Sequence, residues 1–314
     1  MKRNILLTGA ALAALCLSSV QAAKLGDAAA PLVIKDWIKG EKVDVRDGKN
    51  IYVVEFWATW CPPCRTSIPH LTEVQKKFKD KGVVIVGVSD EPKDTVAPFV
   101  KDMGDKMDYT VACDDNRQTF AAYMRAYNQN GIPTAFIIGK DGKVLWYGHP
   151  MTLEEPLSEV VAGKYDLAKA IKREQFQTAL DEYSQKVAQG DPTAAATGQN
   201  LLKQAGDDVE SLTDVAFTVA AGPGGEKRDF ALAHRALDKA EQIAGKDNAR
   251  LTGIRSIVLF ESGKHQEGMA MAKKAVELAK TDSEKQIYQR FLQVMEYRLQ
   301  QQQKPQAAPQ GGQQ

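Results

Sequence analysis

Cysteine is scarce in this chain, with four among 314 residues. That excludes a small scaffold stapled by several disulfides, the usual architecture of cysteine-rich secreted domains. Histidine is equally rare, also four. No second Cys or His pair stands at ligand spacing from the close cysteine pair, so a zinc ribbon is excluded. Charge of one sign is not in excess: 41 basic and 40 acidic residues leave a net charge of +1. Nothing in that balance calls for nucleic acid or an anionic membrane as partner. Beyond the N-terminus there is no long apolar run, hence no second candidate membrane span. The full chain, 43% hydrophobic and 26% charged, has the composition of an ordinary soluble globular protein, and the length suits two domains.

The one apolar run is at the N-terminus. Lys2 and Arg3 form a charged region, residues 5–17 an apolar one, and Val20-Gln21-Ala22 a small-residue cleavage pattern. Residues 1–22 are therefore expected to be an export signal, leaving a soluble, periplasmic chain that starts at Ala23. Cys16 follows the bulky Leu15, where a lipidation site wants a small residue. Cleavage removes Lys2 and Arg3 and turns the net charge to −1. Cys61, Cys64 and Cys113 stay. In an exported protein, one close pair plus a leftover thiol points to redox chemistry rather than structural bridging.

Two halves differ in pattern. Residues 32–45 read as a leading pair of short strands, and further strands are expected over 51–57, 83–89, 109–113, 134–139 and 143–147. Helices are expected over 62–80, 92–103 and 117–127. Asp141-Gly142 is a hairpin turn between the last two strands. Alternation ending in a hairpin predicts a mixed sheet flanked by helices over residues 24–150. From about Leu153 the strand signal stops. Helices are expected over 166–188, 201–204, 209–220, 230–243, 250–261, 265–279 and 282–299, giving an all-helical domain over 163–300. Residues 301–314 are Gln-rich, low-complexity and expected to be disordered. Phe230, Ala233 and Ala240 recur 35 positions later as His265, Gly268 and Ala275. That period is near a tetratricopeptide unit, and the stretch from Leu259 to Gly268, followed by Ala275, resembles its inter-helix turn. A generic Ala-rich bundle is the alternative.

The chemistry is expected at Cys61-Pro62-Pro63-Cys64. A strand rich in β-branched and aromatic residues runs into the pair and a helix follows. The first cysteine thus sits at a helix N-terminus, where a thiolate is stabilised. Thiol–disulfide exchange needs an accessible attacking thiolate and a nearby second thiol that resolves the mixed disulfide. Cys61 takes the first role and the more buried Cys64 the second. The disulfide between them is then the only redox group required, with no metal and no other cofactor.

Phe56-Trp57-Ala58-Thr59-Trp60-Cys61-Pro62-Pro63-Cys64-Arg65 resembles the thioredoxin-like thiol–disulfide oxidoreductases of the TlpA/ResA type, and the resemblance covers roughly residues 32–150. It implies an α/β thioredoxin-like domain ahead of the helical one, and an insertion between about Pro92 and Cys113. It also implies that Pro133, in Ile132-Pro133-Thr134, is a cis-proline facing the sulfurs, with Ile132 and Thr134 lining the substrate backbone. Trp60 packs beside Cys61 in the family. Glu55, six residues before Cys61, matches a buried acid that accepts the proton of Cys64.

Pro62 and Pro63 supply no N–H at the start of the helix, and no histidine adds positive charge there. The Cys61 thiolate is thus stabilised less than in a Cys-Pro-His-Cys oxidant. The expected potential lies nearer about −270 mV than about −120 mV. The expected function is an exported reductase of protein disulfides, re-reduced by a membrane-embedded electron donor, with the helical half recruiting a peptide or protein. The alternatives are a disulfide oxidant or isomerase, and a partner-binding adaptor with an ancillary redox domain. A peroxidase lacks its threonine-and-cysteine motif. Cys113 reads as a buried structural thiol or, alternatively, a third redox thiol. His70 and His149 lack metal-ligand spacing with the dithiol, which leaves copper delivery through Cys61, Cys64 and His149 as a weak alternative.

Overall fold

The computed structural model describes residues 22–303. The expected export signal lies outside the described residues apart from Ala22, as does the tail beyond Gln303. The described chain divides into two compact units, one ending at Ile171 and the other starting at Lys172.

The first unit is built on a six-stranded mixed sheet. Its strands are β1 (Ile34–Lys39), β2 (Ile51–Trp57), β3 (Val83–Ser89), β4 (Thr110–Asp114), β5 (Thr134–Ile138) and β6 (Val144–Gly148), in the order β1-β4-β3-β2-β5-β6. β2, β3 and β4 are parallel, whereas β1, β5 and β6 join antiparallel. The central strands are buried on both faces, which is why they read as near-continuous apolar runs. Alternation along β2 sends Ile51, Val53 and Trp57 into one core, with helix α1 (Pro62–Phe78), and Tyr52, Val54 and Phe56 into the other. Helices α2 (Lys93–Met103), α3 (Gln118–Phe120) and α4 (Glu154–Val161) complete the layers. α4 has no counterpart in the sequence reading, yet Leu153 and Leu157 are fully buried in the α1 core.

Two expectations are corrected here. The leading pair of strands is a single strand, β1. The segment after it, which carries the buried Val45, folds into turns in which Asp44 accepts from the Arg46 N–H at 3.0 Å and Asp47 from the Lys49 N–H at 2.8 Å. Such side-chain bonds compete with a strand ladder. The helix expected over 117–127 is only three residues of α3 followed by a π-helical stretch, Ala121–Arg125. It is entered through Asn116 and Arg117 at φ 53° and 60°, and the Asp114 carboxylate accepts from the N–H groups of Thr119 and Phe120 at 2.9 and 2.7 Å.

The second unit is all helical. α5 (Leu167–Gln189) supplies it from Lys172 onward, followed by α6 (Ala194–Ala205), α7 (Val209–Ala221), α8 (Phe230–Ala244), α9 (Ala249–Glu261), α10 (His265–Leu278) and α11 (Asp282–Gln303). α6 is three times longer than its four-residue signal suggests, because Gly198 interrupts the pattern for a packing reason. A Cβ there would lie 2.7 Å from Leu232 and 3.1 Å from Tyr183. The 35-residue recurrence falls on matching helix starts, since Phe230 opens α8 and His265 opens α10. Its small residues are buried where helices meet: a Cβ on Gly268 would stand 2.8 Å from the backbone of Phe260 and Ser256 in α9.

Candidate active site

β2 delivers the chain to the dithiol. After Trp57, the segment Ala58-Thr59-Trp60 turns and Cys61 caps α1 in an extended conformation, with Pro62 and Pro63 as the first helical residues. Cys61 and Cys64 are joined as a disulfide. The Cys64 N–H donates to Cys61 Sγ at 3.3 Å, and the two prolines contribute no donor. Cys61 is only 2% exposed and Cys64 is fully buried. The expected contrast between an accessible and a buried sulfur is therefore small in the oxidised form, because the Pro133 loop covers Cys61.

That loop arrives from β5, the antiparallel neighbour of β2, with Phe56 opposite Thr134. The Ile132–Pro133 bond is cis. Ile132 O lies 3.8 Å from Cys61 Sγ, and Thr134 Oγ1 donates to Gly131 O at 2.7 Å. Trp60 is 68% exposed beside the pair, so it is no core tryptophan. A cavity of about 190 Å³ opens there between Trp60, Ile132, Val88, Phe120 and Arg117. Arg117 pairs with Asp90 at 2.8 Å and stands 4.3 Å over the Phe120 ring.

Glu55 is on the α1 side of β2, fully buried, and neither carboxylate oxygen has a hydrogen-bond partner at good geometry. Burial pushes its pKa up to about 8, with the Tyr109 and Ser67 hydroxyls pulling modestly the other way. Ser67 belongs to α1 and donates to Cys64 O at 3.0 Å. The Glu55 carboxyl and Cys64 thus share one buried layer.

Some residues of the site carried no signal in the sequence reading. Thr59 is held from both sides: Glu91 accepts from its N–H at 2.6 Å and its hydroxyl at 2.7 Å, while Arg65 Nε donates to its carbonyl at 2.9 Å. Glu91 follows the C-terminal end of β3, next to β2. Side chains at that edge of a parallel sheet gather at sites, which is the clue that could have found it. Tyr109 and Gly87 were invisible because only the register places them beside Glu55.

Cys113 on β4 is buried and unbridged, and burial, reinforced by the Asp36 carboxylate, pushes its thiol up to about 11. His70 has a buried, unpartnered Nε2, while His149 Nδ1 accepts from the Met151 N–H at 3.3 Å. Among the described residues no group of three His, Cys, Asp or Glu side chains could hold a metal. None of their helices is long and apolar enough to cross a membrane. A cavity of about 610 Å³ is in the second unit among charged residues such as Asp208, Arg250 and Glu284.

A thioredoxin-like mixed sheet with a Cys-x-x-Cys pair at a helix start and a cis-proline beside it defines the class: a thioredoxin-like thiol–disulfide oxidoreductase domain. Residues 25–147 match the AhpC/TSA family. Among curated relatives, the thiol-disulfide oxidoreductase ResA of Bacillus thuringiensis subsp. konkukian (strain 97-27) is 31% identical over 167 residues, 52% of this chain and 79% of the relative. That of Bacillus subtilis (strain 168) is 34% identical over 119 residues, 37% of this chain and 63% of the relative. A solved structure described as a candidate thiol:disulfide interchange protein DsbE from Chlorobium tepidum is 30% identical. It covers 46% of this chain and 99% of its own, with a TM-score of 0.38. The chain belongs to the family of ResA thiol-disulfide oxidoreductases. The AhpC/TSA match ends at residue 147, before the helical unit begins.

Proposed function

We propose that this protein is an exported reductase of protein disulfides. The Cys61 thiolate attacks a substrate sulfur and expels the other as a thiolate, giving a mixed disulfide. Cys64 then loses its proton to Glu55 and attacks Cys61 Sγ, which releases the second substrate thiol and closes the Cys61–Cys64 disulfide. Two electrons pass to the substrate, and an electron donor in the membrane restores the dithiol. The disulfide itself is the redox group, so neither metal nor cofactor takes part. Pro133, with Ile132 and Thr134, orients the substrate backbone, and Trp60 packs on it. The helical unit, tetratricopeptide-like in its period, recruits a peptide or protein.

The observation that carries the direction is the helix start. Cys61 Sγ receives a single backbone N–H, from Cys64, because both intervening residues are proline. A thiolate with one donor is less stabilised than one with two, and a less stabilised reduced form is a better reductant. Export rests on Lys2, Arg3 and the apolar run up to Leu17. Insulin reduction by the wild type, abolished in Cys61→Ser, tests the activity. Inactivity of the wild type with retained partner capture by the helical unit would favour the adaptor reading. Trapping with Cys64→Ala identifies the substrate through its mixed disulfide.

A further inference from the structure

The layer beneath Cys64 holds more unpaired polarity than one carboxyl. Glu55, the Trp57 indole N–H and the Tyr109 hydroxyl are all buried, and none has a partner at hydrogen-bond geometry. Buried polar atoms are normally paired, so three together mark a place with a job. The sheet brings them together. Glu55 on β2 is directly opposite Gly87 on β3. A Cβ at Gly87 would lie 3.0 Å from both Trp57 Nε1 and Tyr109 Cε2. The missing side chain is what lets the tyrosine ring, arriving just before β4, reach across β3 toward β2.

We propose that Tyr109 is a positioning residue for the exchange reaction: its hydroxyl donates to the ionised Glu55 carboxylate and holds it ready to take the Cys64 proton. This deepens the proposed function and rests on Glu55 being that proton acceptor. Every element packed around Glu55 supports the assignment. β3 offers Gly87 and β5 offers Ala135, neither with a polar side chain. α1 offers Cys64 and Ser67, whose hydroxyl already donates to Cys64 O. β2 itself offers Trp57. The groups that act on the Glu55 charge are the Tyr109 and Ser67 hydroxyls, with no cation and no second carboxylate. Of the two hydroxyls that act on Glu55, Tyr109 is the uncommitted one, since Ser67 is engaged by Cys64 O. The influence is mutual, since burial, reinforced by the Glu55 charge, raises the pKa of the tyrosine and keeps its proton on oxygen.

The test is stopped-flow oxidation of the reduced full chain by the aromatic disulfide DTNB. The first thionitrobenzoate released reports attack by Cys61, and the second reports resolution by Cys64. In the wild type the second phase should rise with pH along a limb set by Glu55. In Tyr109→Phe the first phase should be unchanged, which also shows an intact fold. The limb of the second phase should move up by about one pH unit, making resolution roughly tenfold slower at pH 7. In Glu55→Gln the limb should vanish. If Glu55→Gln loses the limb while Tyr109→Phe keeps it in place, the tyrosine role is overturned and the Glu55 role stands. If Glu55→Gln keeps the limb, both are overturned. Should Tyr109→Phe alter the first phase, Gly87→Ala, which displaces the ring without removing the hydroxyl, must move the same limb or the proposal fails.

Discussion

Glu55 on β2 and Gly87 on β3 are register partners in the middle of the sheet. One carries the only charged side chain of its strand and the other carries no side chain. The space left by the glycine is filled by the flanking Trp57 and Tyr109 rings. A carboxyl in that position has lost bulk water and gained only weak donors, the condition for a group that exchanges a proton near neutrality.

The first expectation concerns pH and stability. Glu55 is raised from 4.5 to about 8 in the folded protein. Between those values the folded chain binds a proton that the unfolded chain has lost, so stability falls as pH rises through this window. Below it the penalty is absent, and above it the penalty is complete. Urea unfolding of oxidised Glu55→Gln should match the wild type near the lower bound and exceed it by several kcal/mol at most above the upper one. Parallel pH profiles for the two proteins would refute the assignment.

Redox poise follows from the prolines. Equilibration with glutathione should give a potential nearer about −270 mV than about −120 mV, and a value above about −170 mV would contradict a reductase. Pro63→His restores an N–H and adds a cation near Cys61. It should raise the potential by about 30 to 90 mV.

The Thr59 clamp is expected to matter for rate. Glu91→Ala leaves the Thr59 N–H and hydroxyl without their acceptor. A loss of about 1–3 kcal/mol in stability is expected, with slower insulin reduction as the loop before Cys61 loosens. Glu91→Gln, which keeps an acceptor oxygen, should recover most of the rate. Equal defects in the two variants would mean that charge, not the hydrogen bonds, is what counts.

In the helical unit the close approach of α9 and α10 depends on Gly268. Gly268→Leu must push the helices apart, because the obstacle is backbone and cannot swing away. A loss of roughly 3 kcal/mol or more is expected, visible as an earlier helical transition in a circular-dichroism melt. An unchanged melt would show that this crossing does not hold the unit together.

Cys113 should stay out of the chemistry. Its thiol is buried and held protonated well above neutral pH, and a thiol rather than a thiolate is a poor nucleophile. Mass spectrometry of the oxidised protein should show a Cys61–Cys64 bridge and a free Cys113. Any bridge to Cys113 would reinstate a third redox thiol.

Much of this was legible beforehand. Strands β2 and β3 were placed to the residue, because buried parallel strands write themselves as continuous apolar runs. The second unit's helices α7 to α10 were placed within a residue at each end, and Asp208, Asp229 and Asn248 cap the first three of them. α6 and α4 escaped, the first because Gly198 masks a helix that packing demands, the second because only tertiary burial of Leu157 justifies it. The π-helical stretch after Phe120 also escaped, since no periodicity distinguishes it from an α-helix over five residues.

By itself the sequence determined the reacting atoms and their local stage: two sulfurs three residues apart, at the start of a helix whose first residues cannot donate. That information is local, carried by residue type and spacing, and needs no fold to be read. Only the tertiary structure decided what surrounds those sulfurs. Strand register set Glu55 opposite Gly87, sheet order brought Pro133 beside Cys61, and the end of β3 placed Glu91 on Thr59. These partners are distant in sequence, and only the hydrogen-bonded sheet and the burial of its two faces bring them together.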